Sequence, residues 1–301
     1  MERLAGRILL LGGWRRAGLA VIAGAIGALA MPPFGIFAAM AVSFTLLVWL
    51  LDGVTGDPQR NGTLNLRAAF VTGWLFGLGY FVAGLWWLGN ALLVDASGFA
   101  WAIPLAVLGL PALLAIFYGF AAMLARLVWS DGMGRIAALA FGFGLAEWLR
   151  GTVATGFPWN AIGYAAMPVP LMMQSSYVLG LFGVTALSVF VFASPALLGT
   201  RRGAVPGILL AIILSVAHFG YGAWRLYLTP PDTGDQRQIS VRLVQPAIDQ
   251  AQKMENSDRI GIFEKHLALT SAPPAAGHER PDVIVWPETS VPFILTENPD
   301  A

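Results

Sequence analysis

The sequence predicts a multi-pass α-helical membrane bundle followed by the truncated start of an α/β domain. Of its 301 residues, 57% are hydrophobic and 12% are charged, whereas about 25% of the residues of a soluble domain are charged. The charge also changes sign along the chain. Residues 1–228 hold twelve Arg and six acidic residues, and residues 229–301 hold six basic and eleven acidic residues. A transmembrane domain over 1–228 and a water-facing domain over 229–301 explain both observations.

Seven apolar segments predict about seven spanning helices. Met31-Pro32-Pro33-Phe34-Gly35 interrupts the first uncharged stretch and predicts a turn between two helices, because adjacent prolines end helices. Residues 151–170 are uncharged but rich in proline and glycine, which indicates a loop packed at the membrane surface. The predicted spans are 12–30, 34–51, 68–94, 96–125, 136–149, 171–198 and 203–226.

The arginines predict the orientation of the bundle. Of the twelve arginines in residues 1–228, ten lie before the first span or in loops on the same side of the membrane as the N-terminus. The other two lie on the opposite side. Basic residues mark the cytoplasmic side of a membrane protein. The N-terminus is therefore predicted to be cytoplasmic, and an odd number of spans places the segment after residue 228 outside.

The segment after residue 228 changes its hydrophobic period. Alternating side chains at 239–243 predict a half-buried strand, helical spacing at 260–267 predicts an amphipathic helix, and the apolar run 283–286 predicts a fully buried strand. Strand, helix and strand in this order predict a parallel βαβ unit. The predicted core positions are Ile239, Val241 and Leu243, then Ile260, Phe263 and Leu267, then Val283, Ile284 and Val285.

The motif Trp286-Pro287-Glu288 is the sharpest candidate for chemistry. It places a carboxylate just beyond the carboxyl end of a parallel strand, where open α/β sheets build their sites. Pro287 stiffens this position, and a general base needs such a fixed mount. The spacing alone also allows a simpler interpretation, in which Glu288 caps a turn or the next helix.

A second candidate group surrounds the predicted loop 151–170. Glu147 and Arg150 are three residues apart on one helix face, which predicts an ion pair. This pair either locks the helix to its loop or holds a lipid headgroup. Phe157 and Trp159 lie in the uncharged segment 155–160 and are either interfacial anchors or part of a cleft for a lipid chain.

Several classes of site are excluded by composition. A net charge of +1 without a basic run excludes a broadly cationic nucleic-acid binder, and the absence of cysteine excludes disulfides and thiolate metal sites. His218 is predicted to bond between helices, and His266 and His278 lack partners at metal-ligand spacing. No metal is predicted, and no phosphate-binding or dinucleotide fingerprint is present.

Short motifs also occur in a specific order along the chain. They are Met31-Pro32-Pro33-Phe34-Gly35, Gly77-Leu78-Gly79-Tyr80-Phe81 with Trp86-Trp87, Glu147-Trp148-Leu149-Arg150-Gly151, Thr155-Gly156-Phe157-Pro158-Trp159-Asn160, Val244-Gln245-Pro246 with Gln250 and Lys253, and Trp286-Pro287-Glu288. In this order, on a seven-span scaffold, the chain resembles the apolipoprotein N-acyltransferase family of bacterial membrane enzymes.

The resemblance implies a fold, a location and a reaction. The fold is a membrane bundle carrying a nitrilase-like α-β-β-α domain outside the bacterial cytoplasmic (inner) membrane. The reaction uses a Glu-Lys-Cys triad and no cofactor, and Glu288 corresponds to the Glu, the general base. The thiolate takes an acyl chain from a phospholipid donor, and a diacylglyceryl-modified apolipoprotein accepts it. We expect substrate contacts at Phe157, Trp159, Glu147 and Arg150.

Two departures from the family pattern limit this expectation. Met254 follows Lys253 where the family has Trp, and the chain has no cysteine and ends thirteen residues after Glu288. The chain therefore looks like an N-terminal portion that is inactive alone. The alternatives are a catalytically dead membrane scaffold of the same fold and a small-solute transporter. A transporter would use Glu147, Arg150 and His218 as path residues.

Overall fold

The computed structural model describes residues 1–54, 62–228, 239–248, 259–274, 280–288 and 290–291. The chain divides into two compact units. The first is Met1–Ala91 with Trp101–Thr229, and the second is Leu92–Ala100 with Pro230–Ala301.

Helices make up most of the described residues up to residue 228. The α-helices are α1 (Glu2–Leu9), α2 (Gly13–Ala28), α3 (Ala39–Asp52), α4 (Gly62–Leu85), α5 (Ala96–Phe99), α6 (Leu110–Leu127), α7 (Met133–Thr152), α8 (Pro170–Met173), α9 (Ser176–Ala193) and α10 (Ala204–Ala223). Short 3₁₀ segments are Trp86–Leu93, Ala100–Ala102, Val153–Thr155, Ile162–Ala166 and Ser194–Gly199, and π-helical turns are Leu105–Gly109 and Trp224–Leu228.

Helices of membrane-spanning length dominate this part. Among the described residues, five helical stretches are long and apolar enough to cross a bilayer. Helices α2 and α3 are shorter, with 16 and 14 residues. The fold is therefore a helical membrane bundle, and the count of seven spans stays a prediction. The five stretches are Asn65–Leu93, Ala96–Leu127, Met133–Thr155, Ser176–Gly199 and Ala204–Leu228.

Aromatic side chains form the centre of the bundle. Phe44 of α3, Tyr118 of α6 and Phe143 of α7 are fully buried. The Phe143 ring lies 5.2 Å from Phe44 and 4.8 Å from Tyr118, measured between centroids. Aromatic rings bury large areas and interlock at these distances. This cluster joins helices that lie far apart in sequence.

Glycines allow α2 and α4 to pack with their backbones in contact. A Cβ atom added at Gly24 would lie 1.9 Å from the Phe76 carbonyl oxygen, and one added at Gly79 would lie 2.0 Å from that of Val21. Small residues at such contacts are a common device of membrane helix packing. Any side chain at either position forces the two helices apart.

Gly79→Ala is expected to destabilise the bundle by about 1–3 kcal/mol, because the added methyl group overpacks the contact with α2. The measurement is thermal unfolding of the purified chain in detergent. Gly18→Ala is the control, because Gly18 lies in α2 and a Cβ atom added there would meet nothing within 4 Å. The control is expected to be neutral or stabilising. Equal stability of the two variants would contradict the close packing of α2 and α4.

The second unit contains a parallel strand pair and a helix. Strand β1 (Val241–Leu243) pairs with β2 (Val283–Val285) in the register Val241↔Val283, and α11 (Arg259–Ser271) lies between them in sequence. The order of strand, helix and strand is the one that the hydrophobic periods predict. In α5, which is assigned to the same unit, Asp95 accepts hydrogen bonds from the Ser97 hydroxyl and the Gly98 N–H. These bonds hold the pKa of the Asp95 carboxyl below its usual value.

The predicted burial of this unit is wrong in both strands and in the helix. Val283, Ile284 and Val285 are 41–45% exposed rather than fully buried, and the predicted core positions Ile239, Val241 and Leu243 are also exposed. Arg242 and Trp286, which share one face of the strand pair with Ile284, bond to the end of α11, and within the described residues the face of Val241 and Val283 has no such attachment. The buried face of α11 also differs from the predicted one. Ile260 and Leu267 are exposed, and Ile262 and His266 are buried.

Arg242 and Trp286 fix α11 to the strand pair. The Arg242 guanidinium donates to the carbonyl oxygens of Thr270 at 2.6 Å and Ala272 at 2.5 Å, at the C-terminal end of α11. Cations are favourable at this end of a helix. The Trp286 indole N–H donates to the Thr270 hydroxyl at 2.8 Å. The Arg242 side chain therefore contacts α11, although the alternation predicts that its face of β1 is exposed to water.

Candidate functional site

A fully buried ion pair lies at the C-terminal end of α7. The side chains of Glu147 and Arg150 have no exposed surface, and an Arg150 Nη atom donates to a Glu147 carboxylate oxygen. Residues three apart share a helix face, so this pairing follows from the spacing. A buried pair is tolerated only when its remaining donors and acceptors are also satisfied. The surroundings of the pair meet most of this requirement.

Tyr118 supplies the second partner of the carboxylate. Its hydroxyl, on the buried side of α6, donates to Glu147 Oε1 at 2.5 Å. The Arg150 guanidinium carbon lies 5.1 Å from the ring centroid of Phe81 on α4, a favourable cation–aromatic contact. The ion pair therefore joins α4, α6 and α7 inside the bundle.

Arg150 also holds the loop that follows α7. One of its Nη atoms donates to the carbonyl oxygens of Phe157 and Trp159, the latter at 2.9 Å. In the reverse direction, the Phe157 N–H donates to the Arg150 carbonyl oxygen at 2.8 Å. Because Arg150 is held by Glu147, the ion pair determines where the backbone of the loop lies.

Asn160 makes the second attachment of the loop. Its carbonyl oxygen accepts from the Tyr80 hydroxyl at 2.9 Å, and its side-chain amide donates to the Gly84 carbonyl oxygen at 3.0 Å. Gly156 turns the chain just before these attachments, between Arg150 and Phe157, with a φ of +83°. A Cβ atom there would lie 2.1 Å from the Gly151 carbonyl oxygen, so this turn requires glycine.

The loop that follows α7 carries two aromatic side chains that are at least partly exposed. Trp159 is 54% exposed, and its indole lies 5.2 Å from that of Trp87. Phe157 is half-buried and lies 6.4 Å from Trp159 between ring centroids. A cavity of about 620 Å³ adjoins the loop, with Trp159, Tyr164 and Met173 among its lining residues. This volume lies in the range of sites that bind small molecules or lipid chains.

The structure thus brings the predicted residues of the membrane part together in two layers. Phe157 and Trp159 lie in the loop, and Glu147 and Arg150 lie beneath it with their side chains enclosed. Neither charged side chain is accessible to a headgroup in this conformation. Substrate binding by these four residues stays a prediction.

Glu288 is exposed and follows β2 by three residues. Trp286, between them, is fixed to α11 through its bond to Thr270, and its ring lies 5.0 Å from that of His266. These contacts hold Trp286 in place, and the stiff mount for Glu288 itself stays a prediction. The role of Glu288 as a general base stays a prediction.

The histidines do not form a metal site within the described part of the chain, where no group of three ligating side chains is found. His218 Nε2 donates to the Ala166 carbonyl oxygen at 2.9 Å, and its Nδ1 lies 2.8 Å from the Ser175 hydroxyl, which agrees with the predicted bond between helices. His266 Nδ1 donates to the Ile262 carbonyl oxygen at 2.7 Å. His278 and the motif residues Gln250, Lys253 and Met254 lie outside the described residues.

The sequence analysis assigned no role to two members of this cluster. Tyr118 and Tyr80 are fully buried and carry the hydrogen bonds to Glu147 and to the loop. A hydroxyl in an otherwise apolar spanning helix is the signal that could have identified them, since buried polar groups need partners. That signal does not specify which partner each hydroxyl finds.

The fold and the cluster define a multi-pass helical membrane protein whose buried ion pair supports an aromatic loop. A family model described as "Apolipoprotein N-acyltransferase N-terminal domain" matches residues 23–194, more than half of the chain. The chain belongs to this family. A protein of Allorhizobium ampelinum named apolipoprotein N-acyltransferase is 69% identical over the whole chain, which covers 56% of that relative. Relatives of the same name from Rhizobium rhizogenes and Agrobacterium fabrum are 66% and 64% identical, with 57% and 56% of their lengths covered.

Proposed function

We propose that this chain is the N-terminal portion of an enzyme that N-acylates the N-terminal diacylglyceryl-cysteine of apolipoproteins. The chain spans slightly more than half the length of the curated relatives it matches, so the activity belongs to the longer protein. The observation that carries the proposal is the exposed Glu288 carboxylate just beyond a parallel strand, in a chain of this family. Open α/β sheets build their sites at this position.

The reaction we propose has two acyl-transfer steps. Glu288 takes the proton of a cysteine thiol in the following part of the longer protein, and the thiolate attacks the acyl ester of a phospholipid. The ester C–O bond breaks, a thioester forms, and the lysophospholipid leaves as an alcohol with a proton. The free amine of the apolipoprotein then attacks the thioester, which gives the amide and restores the thiol. Such covalent catalysis splits one difficult transfer into two easier ones.

The membrane part would hold the lipid substrates. The aromatic side chains of Phe157 and Trp159 suit the headgroup level, where aromatic residues are enriched in membrane proteins. Glu147 and Arg150 would act beneath them as positioning residues, through the carbonyl oxygens of Phe157 and Trp159. The arginine distribution supports an N-terminus in the cytoplasm and residues after 228 outside the inner membrane.

The second unit would be the start of a nitrilase-like domain. Its strand pair has an exposed apolar face formed by Val241, Leu243, Val283 and Val285. Parallel sheets are stable when both faces are covered. We propose that the remainder of the α/β domain in the longer protein covers this face.

The 301-residue chain is expected to show no acyl transfer by itself, because it has no cysteine to form the thioester. The assay combines the purified chain or the full-length protein with a phospholipid carrying a labelled acyl chain and a diacylglyceryl-cysteine lipopeptide. Labelled lipopeptide should form with the full-length protein only. Transfer by the short chain would refute the thioester mechanism. Absence of transfer by a folded full-length protein would favour the catalytically dead scaffold.

A further inference from the structure

An open pocket between the N-terminal halves of α2 and α4 lies in the first unit. Its volume is about 300 Å³, and its walls include Ala17 and Ala20 of α2 and Val71 and Leu75 of α4. These walls are apolar and lie between two helices of the bundle. Such a lining accommodates the part of a hydrocarbon chain that is nearest to the headgroup.

Two arginines also line this pocket. They are Arg16 of α2 and Arg67 of α4, and no acidic side chain is among the lining residues. Arg16 is anchored by a hydrogen bond from one Nη atom to the Leu50 carbonyl oxygen. Within the described residues, neither arginine forms an ion pair with a carboxylate. Arg67 and the remaining N–H groups of Arg16 can donate hydrogen bonds to an anion in this pocket.

The N-terminus of α2 adds to the positive potential of the pocket. Gly13, the first residue of this 16-residue helix, lines the pocket, and the N-cap residue Gly12 provides no side-chain hydrogen bond. The first N–H groups of a helix lack partners inside the helix, and its dipole favours an anion at this end. Two guanidinium groups and the first residue of α2 therefore line one pocket with apolar walls.

An exposed tryptophan indicates the depth of this site in the membrane. Trp14 is 80% exposed, and the guanidinium carbon of Arg15 lies 5.6 Å from its ring centroid. Exposed tryptophans mark the headgroup level of a bilayer. Basic pockets between membrane helices at this level bind the headgroups of anionic lipids.

We propose that the pocket between α2 and α4 binds an anionic phospholipid. Its phosphate would contact Arg16, Arg67 and the N-terminus of α2, and the start of an acyl chain would lie along Ala20 and Val71. With the orientation proposed above, this lipid belongs to the cytoplasmic leaflet. The site is independent of the proposed acyl transfer, because it uses none of the residues assigned to that reaction.

The test compares lipid binding to the purified chain by native mass spectrometry, with phosphatidylglycerol and phosphatidylcholine as probes. The double variant Arg16→Gln/Arg67→Gln is expected to bind phosphatidylglycerol about thirtyfold more weakly than the unmodified chain. Arg201→Gln/Arg202→Gln removes the same charge from exposed arginines outside the pocket and should change binding less than about twofold. Arg16→Lys/Arg67→Lys should retain most of the affinity.

Three outcomes would overturn the proposal. The first is equal binding of phosphatidylglycerol to the glutamine variant and the unmodified chain. The second is equal weakening for both double glutamine variants, which would show a general charge effect. The third is displacement of phosphatidylglycerol by millimolar inorganic phosphate, which would assign the site to a free anion. If Arg16→Gln/Arg67→Gln does not fold, Arg67→Gln alone should show a smaller loss that is specific to phosphatidylglycerol.

Discussion

Glu288→Gln in the full-length protein is expected to reduce acyl transfer by a factor of about a hundred to ten thousand, the range lost when a general base is removed. The amide keeps the size of the side chain but cannot accept the thiol proton. Since deprotonation precedes the first acyl transfer, the labelled thioester should also fail to accumulate. The measurement is a single-turnover assay with the labelled phospholipid in the absence of lipopeptide.

Glu264→Gln provides the control for this experiment. Glu264 lies exposed on α11 in the same unit and carries the same charge. Its replacement should leave the rate within about twofold, because an exposed charge away from the reacting atoms contributes little. Full activity of a folded Glu288→Gln protein would reduce Glu288 to the turn-capping role that its spacing also allows.

Arg150→Ala is expected to destabilise the bundle by about 3–5 kcal/mol, the effect of removing one partner of a buried ion pair. The substitution leaves the Glu147 carboxylate in the bundle core with Tyr118 as its described partner. It also removes the donor that holds the carbonyl oxygens of Phe157 and Trp159. The variant therefore loses both the buried ion pair and the attachment of the loop. The measurement is the free energy of unfolding in detergent, together with the fluorescence of Trp159, taken as the difference from the matching Trp159→Phe variant because the chain has 11 tryptophans.

The matched control is an exposed ion pair of the same chemistry. Arg202 donates to the Asp131 carboxylate at 2.5 Å, with 72% and 73% of the two side chains exposed. Asp131→Asn should change the stability by less than about 1 kcal/mol, because water screens this pair. A loss at Arg150→Ala no larger than that at Asp131→Asn would mean that the buried pair does not hold the bundle together.

Tyr118→Phe separates the two contributions. This substitution removes the bond to Glu147 Oε1 and keeps the aromatic packing against Phe143. It leaves the attachment of Arg150 to the loop in place. Stability should fall by about 1–3 kcal/mol for a buried acceptor that loses a donor, while Trp159 fluorescence should remain unchanged. This difference distinguishes support of the core from positioning of the loop.

Much of this protein follows from local sequence. Long uncharged segments predict membrane helices, because a charge in lipid is costly and each helix satisfies its own backbone. The spacing of Glu147 and Arg150 predicts their ion pair, because residues three apart share one helix face. The double-proline motif predicts the break between α2 and α3. The motif before Glu288 predicts a stiff mount after a strand, and the structure describes this strand.

Only the tertiary structure decided which distant groups meet. Tyr118 reaches Glu147 across 29 residues, and Tyr80 reaches the Asn160 carbonyl oxygen across 80. It also decided that Arg242 bonds to the end of α11, whereas Val241 and Leu243, predicted from alternation to be buried, are exposed. A hydrophobic period records that a strand or helix has two faces and leaves open which neighbour covers each. That choice depends on packing between segments distant in sequence, whose volumes and hydrogen bonds must be satisfied together.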